Sequence, residues 1–329
     1  MPRAPRYIPP GVPLELTART VWKQFLLRPS AALNARILAI IGRALALYAV
    51  DLHAFAVLSN HWHCLFTPRD AAAARDFARY VQAGLARAIN DELGRQGPVW
   101  TRVGLTPVIG AEAETARLRY VLAHGAKEGL VASPFDWPGV HAARALCGYE
   151  TLVGEWLDRT RACKLRHGGG KGGGRDPLPS EVTTSYPITF TPLPSWRHLD
   201  ADQRVAHMRA LVATIVVDAR AKHPRPMGVA AILAQDPADR PAHSKHGRAP
   251  ICHADDELER RAFKDARRSF IDAHRTAWRC MRIARPARYP SHAFPAAVPC
   301  SSEPFTVSIV RGGARPAPKL TSSRNAPPG

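Results

Sequence analysis

Two runs of β-forming, largely apolar residues, 51–58 and 61–66, are separated only by Ser59-Asn60. A two-residue connection of turn-forming side chains closes such a pair as an antiparallel hairpin. The rest of the nearby chain must then be arranged around that pair. The second run begins His61-Trp62-His63, and side chains on a strand alternate between its faces. His61 and His63 therefore share one face, where two imidazoles can hold one divalent cation. Trp62 faces the other way, into a core. About sixty residues on, Tyr120 and His124 stand four apart in a stretch with helical periodicity, so they also share a side and supply a nucleophile and a third potential ligand.

The flanking segments extend this frame. Residues 14–20 alternate as a first strand. Pro29-Ser30 opens a helix in which Ile37, Ile40, Ile41, Ala44, Leu45 and Tyr48 recur every three or four positions. Arg69-Asp70 starts a second helix reaching about residue 93, with Phe77, Val81, Leu85 and Ile89 on one side and Gly94 and Gly97-Pro98 ending it. Residues 103–109 read as a strand that Pro107 confines to an edge, and 111–128 as a third helix stopped by Gly129. A short helix ending near residue 160 follows. The order strand, helix, strand, strand, helix, strand, helix predicts an α+β fold: a ferredoxin-like split βαβ antiparallel sheet with helices on one face, plus a small, mainly helical C-terminal domain.

The run from His167 to Arg175, nearly all glycine with basic residues, marks the clearest boundary. The expected organisation is a core domain over 1–160, a Gly-rich basic linker over 161–190, a basic helical domain over 191–300 and a disordered tail over 301–329. Within the helical domain, 201–222 is a helix capped by Asp200 with Gln203 completing a capping box. A second helix over 255–283 has an inner stripe of Leu258, Ala262, Ala266, Phe270, Ala273 and Ala277. Arg260, Arg261, Lys264, Arg267 and Arg268 make that helix strongly basic, and they are the candidate DNA-contacting residues.

Forty-six Lys and Arg against 27 Asp and Glu give a formal charge of +19. So large an excess calls for a polyanionic partner, with DNA or RNA ahead of a membrane surface. The apolar stretch 31–50 is broken by Asn34, Arg36 and Arg43, so it is an amphipathic helix and not a membrane span. Residues 1–13 carry prolines where a signal peptide needs an apolar run. None of the six cysteines forms a CxxC pair, which suits reduced thiols in the cytoplasm. The expected location is cytoplasmic and nucleoid-associated.

Four segments in order resemble the IS200-like tyrosine-1 transposases of the HUH class, in particular their REP-associated branch. They are Leu58-Ser-Asn-His-Trp-His-Cys-Leu-Phe66, Gly97-Pro-Val-Trp100, Leu118-Arg-Tyr-Val-Leu-Ala-His-Gly-Ala-Lys-Glu-Gly-Leu-Val131 and Ser133-Pro-Phe-Asp-Trp-Pro138, spread over about residues 8–160. The resemblance implies that His61 and His63 bind Mg²⁺ or Mn²⁺ and that Tyr120 attacks a phosphate of single-stranded or hairpin DNA. A 5′-phosphotyrosine link would result, later resealed by a 3′-hydroxyl. It also implies a third ligand four residues after the tyrosine, where the family usually has Asn or Gln followed by Pro. This chain has His124-Gly125. The protein is expected to act as a monomer or homodimer with no membrane. The rival reading is a domesticated protein on the same fold that holds DNA or RNA hairpins without cutting them.

Overall fold

The computed structural model describes residues 6–294 apart from 169–173, 243–249, 284, 286 and 292. The expected disordered tail lies outside the described residues. Strands β1 (Arg6–Tyr7) and β2 (Leu14–Thr20) lead to helix α1 (Ala31–Leu47), then to the hairpin of β3 (Val50–Leu58) and β4 (His61–Pro68). Helix α2 (Ala71–Glu92), strand β5 (Trp100–Ile109) and helix α3 (Ala111–Leu122) complete the first part. Beyond it come α4 (Ala143–Leu146), β6 (Leu152–Leu157), α5 (Arg159–His167), α6 (Pro179–Val182) and β7 (Thr183–Ile188). The chain continues through α7 (Ala201–Lys222), α8 (Val229–Leu233), β8 (His253–Ala254), α9 (Glu257–Arg282) and β9 (Ala293–Phe294). Side chains cap the long helices: Ser30 accepts from the Leu33 amide, Asp70 from Ala73, and Asp256 from Glu259. The expected box of Asp200 and Gln203 closes α7.

The principal sheet has the order β3-β4-β2-β5-β8, antiparallel except for the last pair, so the fold is α+β around a mainly antiparallel sheet. Strand β4 lies inside it, and every residue from Trp62 to Pro68 is buried. The β2–β4 register pairs Thr17 with His63 and Arg19 with His61. Paired residues share a face, so Glu15 and Thr17 stand on the histidine face.

Three expectations need correction. Strand β5 is not an edge: β8 adds in parallel at Val108 and Ile109, just past Pro107, where backbone donors are available again. Nor are the helices confined to one face. Phe77 of α2 stacks on Phe66 (centroids 4.9 Å apart) on the Trp62 side, and α1 packs on α2. Helix α3 crosses the opposite side, with the Tyr120 ring centroid 5.6 Å from that of His63. Because β4 buries both faces, each needs a cover. Third, no helix ends near residue 160: β6 ends at Leu157 and pairs with β7, and α5 begins at Arg159.

That β6–β7 ribbon lies on α1 through two glycines. A Cβ on Gly154 would sit 2.2 Å from the Leu38 carbonyl oxygen, and one on Gly42 would be 2.9 Å from the Tyr186 Cβ. The expected linker therefore carries α5, α6 and β7 around its glycine run. Downstream, Met208, Val212, Ile215 and Ala219 of α7 share one core with the sheet. Phe263 and Phe270 of α9 form a smaller core with Tyr7, at ring separations of 5.9 and 5.1 Å. The expected stripe on α9 is corrected at its start, since Leu258 is 68% exposed and Phe263 supplies the buried bulk. No described helix is long and apolar enough to cross a membrane.

Two buried histidines give the fold an acid limit. His53 lies between the Thr191 carbonyl and the Thr67 hydroxyl, each 2.8 Å from a ring nitrogen. The His141 Nδ1 accepts from the Ala143 amide at 3.1 Å, which requires a bare lone pair there. Burial lowers both to about 4. Between that value and the ordinary 6.5 the unfolded chain binds more protons than the folded one, so stability falls as pH falls through this window. Each histidine should cost up to roughly 3 kcal/mol. Denaturant unfolding measured from neutral pH down to pH 4 should show this loss, and a flat profile would rule it out.

Candidate metal centre and nucleophile

Strand alternation and a helix end bring three imidazoles together. One ring nitrogen from each of His61, His63 and His124 lies within 4.8 Å of the others. His61 and His63 come from adjacent like-facing positions of β4. His124 does not lie within a regular helix, as the expected span 111–128 would have it, because α3 ends at Leu122. It occupies the first turn beyond, still beside Tyr120, with ring centroids 4.7 Å apart. The chain then turns at Gly125, whose φ is +88°, and a Cβ there would lie 3.1 Å from the Trp137 ring. Proline, locked near −65°, cannot take that conformation.

Second-layer hydrogen bonds orient all three rings. The His61 Nδ1 donates to Asn60 Oδ1 at 2.6 Å, His63 Nδ1 to Glu15 Oε1 at 2.8 Å, and His124 Nδ1 to the Val121 carbonyl at 3.2 Å. With Nδ1 carrying the proton, each Nε2 presents a lone pair. Burial lowers all three pKa values and keeps the rings neutral, the form that binds metal. The donor set therefore fits a metal ion. In this structure the Lys127 ammonium donates to the His124 Nε2 at 3.1 Å.

Glu15 is the hub beneath the cluster. Its side chain is 4% exposed and accepts from His63, from Arg117 at 3.0 Å and from His253 at 3.1 Å. Burial alone would raise its pKa, but the bonds from His253 and His63 and the charge of Arg117 hold it far below the usual carboxylate range. His253 belongs to β8, so the C-terminal part of the chain reaches the histidine site.

Tyr120 is about one-third exposed. The Arg117 Cζ lies 3.8 Å and the Lys127 Nζ 3.2 Å from its ring centroid. Burial and then the charge of Glu15 raise the phenol, while Arg117 opposes them. Burial, with Arg117 adding to it, lowers Lys127 to about 8. The tyrosine opens into a cleft of about 370 Å³ between α3 and α7, bordered by Arg117, Arg119, Lys127 and Lys222. An ion pair of Arg119 with Asp218 crosses it.

The five basic residues of α9 are placed differently. Arg260, Arg261 and Lys264 share Glu257, and Arg268 pairs with Asp265. These described partners are acids of the same helix, not the imidazoles or Tyr120. The site also contains residues that sequence reading missed: Glu15, Arg117, Lys127 and His253. Glu15 left a signal, since the alternation Leu14-Glu15-Leu16-Thr17 places a carboxylate on a polar strand face. His253, 190 residues from His63 in sequence, left none.

No protein-family model matches this chain, and no curated protein does. Among solved structures it is similar to a REP-associated tyrosine transposase bound to a REP hairpin, at 17% identity and a TM-score of 0.35, over 45% of this chain and 86% of that one. Likeness at this level leaves the function to be read from the site itself.

Proposed function

We propose that this protein is a metal-dependent DNA strand transferase that cleaves and rejoins single-stranded or hairpin DNA, with Tyr120 as nucleophile and His61, His63 and His124 as ligands. The carrying observation is that three neutral imidazoles, each anchored through Nδ1, gather within 4.8 Å beside that tyrosine. The sequence resemblance of the four segments agrees with it. The sheet order β3-β4-β2-β5, with crossover helices α1 and α2, supports reading the core as a ferredoxin-like split βαβ unit.

A bound Mg²⁺ or Mn²⁺ would polarise a non-bridging oxygen of the scissile phosphate, and three nitrogen donors favour Mn²⁺. The Tyr120 oxygen would bond to phosphorus as the bond to the 3′-oxygen breaks. The phenol gives up its proton and the departing 3′-oxygen gains one, leaving a 5′-phosphotyrosine and a 3′-hydroxyl. Arg117 and Lys127 flank the ring and offset the charge that develops on its oxygen. Attack within one chain is reasonable because Tyr120 and the imidazoles are neighbours in the same protomer. The basic residues of α9 would add phosphate contacts outside the reacting centre.

The non-catalytic alternative has one observation in its favour: Lys127 already supplies a cation to the His124 lone pair. Covalent adduct formation on single-stranded and hairpin oligodeoxynucleotides, with Mn²⁺, Mg²⁺ or chelator, decides between them. Wild type should form adduct best with Mn²⁺ and none with chelator. His124→Ala should lose at least about tenfold in metal affinity measured by titration calorimetry, and His124→Asn should shift preference towards Mg²⁺. Hairpin binding with no adduct in any metal would favour the alternative.

A further inference from the structure

On the face of the sheet opposite the histidines, a groove of about 930 Å³ runs between α2 and β5. Its size is within the range of small-ligand sites. Ala78, Ala83, Ala86, Val103 and Leu105 form an apolar lining, with Trp100 at one end. Arg6, Arg75 and Arg79 stand along it. Asp76 pairs with both Arg75 and Arg79, so two guanidiniums share one carboxylate and that cluster keeps a net positive charge.

Gln82 supplies the independent observation. It lines the same groove and is only 8% exposed, yet among the described residues neither its amide nitrogen nor its amide oxygen has a hydrogen-bond partner. Its backbone carbonyl accepts from the Trp100 indole at 2.9 Å, which ties α2 to β5 beside it. An unpaired amide is costly to bury. Side-chain amides offer a donor and an acceptor together, the pattern that pairs with the edge of a nucleobase.

We propose that this groove is a second nucleic-acid contact, separate from the histidine site, that takes an unpaired stretch of single strand. A base would lie against Trp100 and the apolar lining with its edge on Gln82, while Arg75 and Arg79 face the phosphates. The choice of nucleic acid rests on the proposed function; the groove, its charge and its orphan amide do not.

The test measures binding of a fluorescein-labelled single-stranded oligodeoxynucleotide of mixed sequence to the full chain across a salt series. Arg75→Ala/Arg79→Ala should weaken binding at least fivefold and flatten the salt dependence, since each phosphate contact on a single strand adds about 0.7 to the slope. Gln82→Leu gives the sharper result: binding should fall about tenfold while the melting temperature rises, because the variant removes a buried orphan amide. A purely structural Gln82 would move stability alone. Photocross-linking of the same strand carrying iodouracil should label the peptide that contains Trp100. If wild type binds and the variants bind equally well, or no label reaches that peptide, the groove proposal is overturned and the proposed function stands. If wild type binds no single strand, the groove proposal falls, while adduct formation on hairpin oligodeoxynucleotides still decides the proposed function.

Discussion

Tyr120→Phe should abolish covalent attachment to DNA, by at least about 10⁴-fold, the scale on which removing a nucleophile acts. The same variant should keep its fold, its metal affinity and its DNA affinity. The reason lies in how the ring is held. Arg117 and Lys127 contact its face, at 3.8 and 3.2 Å from the centroid, and a phenyl ring preserves those contacts. The Glu15 cluster beneath takes its hydrogen bonds from His63, Arg117 and His253, so the phenol oxygen is not needed to satisfy it. Stability should therefore change by no more than about 0.5 kcal/mol. Adduct formation by the phenylalanine variant would transfer the nucleophile's role to another residue. Loss of DNA binding along with the adduct would make Tyr120 a contact and not a reactant.

Glu15→Gln is expected to be the most disruptive single change near the site. It removes one negative charge from a place where His63, Arg117 and His253 all converge, while the Arg117 side chain is only 16% exposed. A buried guanidinium losing its counter-charge costs on the order of 3–5 kcal/mol. The amide can still accept from one neighbour, but it no longer makes the His63 Nε2 more basic, so metal affinity should drop about 10–100-fold. Both effects are accessible without DNA, by denaturant unfolding and by metal titration of the folded protein at low temperature. Because the folded pKa of Glu15 lies well below the usual carboxylate value, its contribution persists above the unfolded value and is lost only as pH falls far into acid. At neutral pH the variant should therefore show the full effect. Unchanged metal affinity in a folded Glu15→Gln protein would remove Glu15 from the support of the metal site.

What could be read in advance followed from short-range physics. Alternation around Ser59-Asn60 specifies the hairpin and puts His61 and His63 on one face, and the register shows both where expected. Periodicity and capping residues specify α1, α2 and α7, the last with the bounds expected for it. The same local rules misjudged places where a distant segment intervenes. Pro107 suggests an edge, but β8 returns from the far end of the chain to cover it. Leu258 fits a helical stripe, but no core reaches it.

For the candidate site the division is similar. The sequence by itself determined that His61 and His63 share a face and that Tyr120 and position 124 lie close together, because strand and helix periods act over a few residues. Tertiary structure decided that His124 joins the pair from beyond the end of α3, through a turn that only Gly125 permits. It also decided that a carboxylate from β2, a guanidinium from α3 and an imidazole from β8 meet beneath His63. No local pattern encodes that meeting. Charges buried together must find partners wherever the fold brings them, and those partners come from strands that become neighbours only when the sheet is complete.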